Sequence, residues 1–85
     1  MKTSQIKLPV LSNQIEISKA DFTNLLMNDY ENPVIEKDFN LNVSCDRVTY
    51  KVLFEIIDGT NPVWVAAQRI SANGTTFIKN GEHNV

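Results

Sequence analysis

Apolar residues recur along this chain with two different periods, and the change of period divides it. In the first half, Phe22, Leu25, Leu26 and Tyr30 follow a three-to-four spacing, while Lys19, Thr23, Asn24 and Asn28 fall between them. That is the stripe of an amphipathic helix. Ser18 is a suitable N-cap, Asp21 stands three residues later where a carboxylate meets the positive end of the helix dipole, and Ile17 and Phe22 have the spacing of a hydrophobic staple. Pro33 disfavours helical backbone at Asn32. The pattern predicts a helix over residues 19–29.

After Pro33 the period becomes two. Phe39, Leu41, Val43 and Cys45 alternate with Asp38, Asn40, Asn42 and Ser44, which predicts a half-buried strand over residues 38–45, preceded by a solvated connection over residues 31–38. A second strand is predicted over residues 48–57, after a tight turn at Cys45, Asp46 and Arg47. The loop Asp58-Gly59-Thr60-Asn61-Pro62 leads to a third over residues 63–71, and the hairpin signal Asn73-Gly74 to a fourth over residues 75–79. The N-terminal apolar positions change parity, from Ile6, Leu8 and Val10 to Ile15 and Ile17 across Ser12-Asn13. They predict two short strands joined by a turn or bulge, with Pro9 confining the first to a sheet edge. The expected fold class is therefore α+β: a single helix packed on one face of an antiparallel sheet of four or more strands, with one or two short N-terminal strands.

If the Asp58 loop closes symmetrically, Ile57 faces Val63, and Ile56, Phe54, Val52 and Tyr50 face Trp64, Ala66, Gln68 and Ile70. That almost wholly apolar face is the expected seat of the helix. A slip by one residue would carry Lys51, Glu55 and Arg69 into the core, where unpaired charge is costly. The opposite face then presents an apolar patch of Leu53, Ile57, Val63 and Val65, with a basic cluster of Arg47, Lys51 and Arg69 at its other end. It is either covered by the N-terminal strands or free to meet a partner. These seven residues are the candidate partner-binding set; Trp64 joins them only under a different register.

Composition narrows this picture. The chain has 85 residues, 8 Lys and Arg against 10 Asp and Glu, one Cys and one His, a size that suits one small globular domain with a frayed tail over residues 80–85. Near-neutral charge argues against a strongly electrostatic partner such as duplex nucleic acid. No apolar run reaches the length of a signal peptide or a membrane span, which leads us to expect a cytoplasmic protein without a membrane partner. A lone Cys45 makes no internal disulfide and fits a reducing compartment.

Catalytic chemistry finds few candidates. Metal sites need three or four converging ligands, and the single Cys and His do not supply them, so neither metal nor cofactor is expected. Cys45 sits in the apolar alternation like a small core residue, and His83 lies in a polar tail too mobile for acid–base work. Gly59, Gly74 and Gly81 mark turns or the tail and form no phosphate loop. We therefore expect no enzyme. A sheet can stack single-stranded nucleic acid or a nucleotide through exposed aromatics, but Tyr50, Phe54, Trp64 and Phe77 fall on the expected helix side.

Ten Asn, eight Ile and six Lys against four Ala and two Arg suggest an AT-rich genome, that of a low-GC bacterium or a phage. In general type alone, a small reduced chain without catalytic clusters resembles the accessory proteins of phages and mobile elements that inhibit a host enzyme or defence system. The expectation is thus a small non-catalytic protein acting on a host or other partner protein by surface contact. The alternatives are a single-stranded nucleic-acid module and a structural homo-oligomer, such as a homodimer.

Overall fold

A computed structural model describes residues 7–83. Strand β1 (Gln14–Ile17) leads into helix α1 (Lys19–Leu26). Strands β2 (Val34–Val43), β3 (Asp46–Ile57), β4 (Asn61–Ser71) and β5 (Gly74–Asn80) follow as an antiparallel meander. β1 closes the sheet against β5, giving the spatial order β1-β5-β4-β3-β2. The fold is α+β. The first expected N-terminal strand is absent from residues 7–13, and its start at Ile6 lies outside the described residues.

The helix is shorter than its apolar stripe. Ser18 Oγ accepts the Asp21 backbone N–H at 3.1 Å, as the cap pattern requires. At the other end the Tyr30 hydroxyl donates to the Leu25 carbonyl at 2.6 Å, satisfying an acceptor that further helical turns would have used. The backbone leaves the helix at Met27, so Tyr30 acts from outside the helix.

Turn chemistry sets the strand lengths. Ser44 and Cys45 both take positive φ, 49° and 67°, and make a two-residue turn of the twisted kind that suits a hairpin. Cys45 is therefore exposed at a hairpin tip, a correction to its expected place in the core. β2 runs back from this turn to Val34, through most of the stretch expected to be a solvated connection. Between β3 and β4, Asp58 and Gly59 turn the chain at φ 53° and 77°, with the Thr60 N–H donating to the Ile57 carbonyl at 3.2 Å. Ala72 and Asn73 form the last turn, and Gly74 begins β5 at φ 126°, where a side chain would be strained.

These closures overturn the symmetric register. Ile57 pairs with Asn61, and the ladder runs from there to Phe54 opposite Trp64. Leu53 then pairs with Ala66, which leaves Val65 as the extra residue of a β-bulge. Past the bulge every β4 side chain has changed faces: Ala67 and Arg69, instead of Gln68 and Ile70, lie opposite Val52 and Tyr50.

The helix accordingly sits on the face that was expected to be free. Phe22 is buried against Leu53, Val65 and Ala66, with Ile17, Leu25, Leu26, Tyr30 and Phe77 around them. The other face holds Val52, Phe54, Ile56, Trp64, Ala67 and Ile78, and Leu8 and Leu11 of the N-terminal segment pack on it without forming a strand. Both faces are thus apolar at their centres, and each is covered by a different part of the chain.

Candidate interaction surface

The seven sequence-derived candidates do not form one surface. Leu53 and Val65 are 4% and 1% exposed beneath the helix. Ile57 and Val63 are half-buried at the β3–β4 end. Lys51 lies between Asp38 of β2 and Gln68 of β4, and Arg47 lies opposite Asn42. Arg69 stands between Tyr50 and Thr76 on the face away from the helix. The Val65 bulge separates the two arginines, because it reverses the facing of the second half of β4 relative to β3.

What the sheet does present is an open edge. β2 is a ten-residue strand with β3 on one side and, among the described residues, no strand on the other. In a two-residue hairpin the residues flanking the turn form a hydrogen-bonded pair, here Val43 with Asp46. Odd-numbered β2 residues therefore bond to β3, in step with the Ile56 N–H donating to the Pro33 carbonyl at 2.8 Å. Even-numbered residues direct their N–H and C=O groups outward, and Val34, Glu36, Asp38, Asn40 and Asn42 are all exposed. Beside this edge, Leu26, Val34, Ile35, Glu36 and Leu53 line a groove of about 300 Å³ between the helix and β2. The opposite edge of the sheet, β1, has four residues.

A second feature escaped the sequence reading. Glu55 is buried on the helix face between two apolar neighbours in sequence, Phe54 and Ile56. Its Oε1 meets His83 Nε2 at 2.7 Å and its Oε2 accepts the Asn32 amide N–H at 3.1 Å. The His83 and Glu55 side chains are only 7% and 10% exposed. In residues 80–83 the Gly81 N–H donates to the Asn13 carbonyl, the His83 N–H to the Asn80 carbonyl and the Asn80 side-chain amide to the Trp64 carbonyl at 2.9 Å. Residues 84–85 lie outside the described residues. The available signal was a charged residue inside the otherwise apolar run 52–57, which needs a partner that sequence spacing does not name.

Burial raises the Glu55 carboxyl, but the hydrogen bonds from Asn32 and His83 and the attraction of His83 outweigh it and hold the group below the usual carboxylate range. The Tyr30 ring lies edge-on to His83, centroids 6.2 Å apart. Burial, and then the nearby Glu55 charge, push the Tyr30 hydroxyl above its ordinary value, against a smaller lowering by Asn28. A Glu–His pair can in principle move protons, and both of these side chains are largely buried. The groove beside β2, a larger one of about 350 Å³ along α1 and one beside Gly81 do not include Glu55 or His83 in their linings. The cluster ties together β3, the connection after the helix and the chain's last described residue.

Among the described residues no group of three or more His, Cys, Asp or Glu is placed to hold a metal, and no helix is long and apolar enough to cross a membrane. No protein-family model, curated protein or solved structure matches the chain.

Proposed function

We propose that this is a small non-catalytic binding protein that acts by protein–protein contact, and that β2 is its contact element. The observation that supports this is the ten-residue edge with outward N–H and C=O groups at every second position, bordered by an apolar groove. An extended partner segment that adds to such an edge gains a ladder of backbone hydrogen bonds, and alternate side chains drop toward Leu26, Val34 and Leu53. Asp38→Pro tests it. The substitution removes an outward N–H that β3 does not use, so the fold should persist by circular dichroism and thermal melting. Capture of a protein partner by the tagged chain should be lost. Undiminished capture by this variant would remove β2 from the proposal.

One observation favours a second reading, single-stranded nucleic-acid binding. Phe39, Tyr50 and Arg69 form a row across β2, β3 and β4 on the face away from the helix, which restores the aromatic–basic pairing that the symmetric register had separated. A fluorescent single-stranded oligonucleotide should then bind in low salt, more weakly to Tyr50→Ala and Arg69→Ala. Failure to bind at low salt ends that reading.

A further inference from the structure

We infer that the occupant of the β2 edge is a second copy of this chain, the two sheets joining β2 to β2 into one ten-stranded antiparallel sheet about a two-fold axis. This rests on the reading of β2 as the contact element and names its partner. The reason lies in the order of charges along the strand. A two-fold axis perpendicular to the sheet pairs like-facing residues, so it must pass through a single β2 position. Centred on Glu36 or Asp38 it sets that carboxylate against itself. Centred on Lys37 it opposes two ammonium groups and places Glu36 against Asp38 twice. Like charges directly opposed across a ladder destabilise it.

Centred on Phe39, every pair is compatible. Asp38 faces Asn40 and Glu36 faces Asn42, each twice, so carboxylates meet amides at the positions whose backbone groups point outward. On the opposite face Phe39 meets its own copy, Lys37 meets Leu41 and Ile35 meets Val43, which covers a valine that is 45% exposed in the single chain. This register spans residues 35–43 and makes about eight new backbone hydrogen bonds. Moving the axis to Asn40 avoids repulsion too but shortens the ladder to residues 37–43. The Glu36-Lys37-Asp38 run, which would protect an edge against indiscriminate pairing, thereby excludes the registers centred on residues 36–38, and ladder length favours Phe39 over Asn40 among those that remain. The assembly also closes: the dimer uses both β2 edges, and among the described residues the four-residue β1 edges are what remains.

The test uses the full chain by sedimentation equilibrium between about 1 µM and about 1 mM, a range that reaches weak dimers. The mass should rise from the 9.6 kDa of one chain to twice that. Amide exchange of residues 36, 38, 40 and 42 should slow as the dimer forms, since these N–H groups are free in the single chain. Asn40→Asp places carboxylates opposite Asp38 twice and should weaken dimerisation about five- to tenfold, while Asn40→Lys should tighten it by a similar factor. A monomer mass throughout overturns the inference, as does a dimer whose even-numbered β2 amides exchange freely or one indifferent to both Asn40 substitutions. A monomer that captures another protein through β2, lost in Asp38→Pro, also overturns it and leaves the proposed contact element standing. A monomer whose protein capture survives Asp38→Pro overturns both.

Discussion

Glu55 occupies a position where an unpaired carboxylate would be untenable, and its two oxygens are each satisfied by a different segment of chain. Removing either partner leaves a largely buried carboxylate short of a hydrogen bond, so His83→Ala should cost about 1–3 kcal/mol of stability by chemical denaturation. The pH dependence has a definite sign. Because the folded carboxyl titrates below its unfolded value near 4.5, its contribution is complete above that value and is lost as pH falls through the lowered one. The gap in melting temperature between the natural chain and Glu55→Gln should therefore narrow on going from about pH 6 to about pH 3. Another residue-scale outcome follows at the β2–β3 tip, where Ser44 and Cys45 hold a left-handed backbone without glycine. Cys45→Gly should stabilise the hairpin by about 1 kcal/mol and leave its register unchanged, measured by urea unfolding.

At the scale of elements, the helix is stable because of what it covers. Eight residues are too few to hold a helix in water, so α1 depends on Phe22 seated among Leu53, Val65 and Ala66. Phe22→Ala should cost about 3–5 kcal/mol and release the helix from the sheet, seen as loss of helical dichroism together with a lower melting temperature. The elements themselves were largely legible. Ser18, Asp21 and the Phe22 stripe located the helix, and alternation located four strands, because caps and side-chain periods act over a few residues. Their ends were less legible. Tyr30 belongs to the apolar stripe in sequence but serves as an external cap, and the Ser44-Cys45 turn lacks the asparagine or glycine that usually marks such a bend. The candidate surface was least legible, since a bulge turns Arg69 to the other face and the helix covers Leu53 and Val65, neither of which local spacing announces.

Across the whole molecule, the near-neutral charge conceals an ordered distribution. Among the described residues β2 carries Glu36, Lys37 and Asp38 together on the long open edge, and that order sets like charges against each other in the self-pairing registers centred on residues 36–38. β5, which the sequence left as the last strand of the meander, is not an edge at all, because β1 pairs with it. The chain by itself determined the α+β class, the helix start and the existence and sequence of the meander, all of which follow from local pattern. Tertiary structure alone decided which face the helix takes, which edge stays open and which residues hydrogen-bond Glu55. Those outcomes depend on turn closure and on the extra residue at Val65: with a side-chain period of two, a one-residue shift exchanges the faces of everything beyond it. The partners of Glu55 are 23 and 28 residues away, distances over which no spacing rule operates.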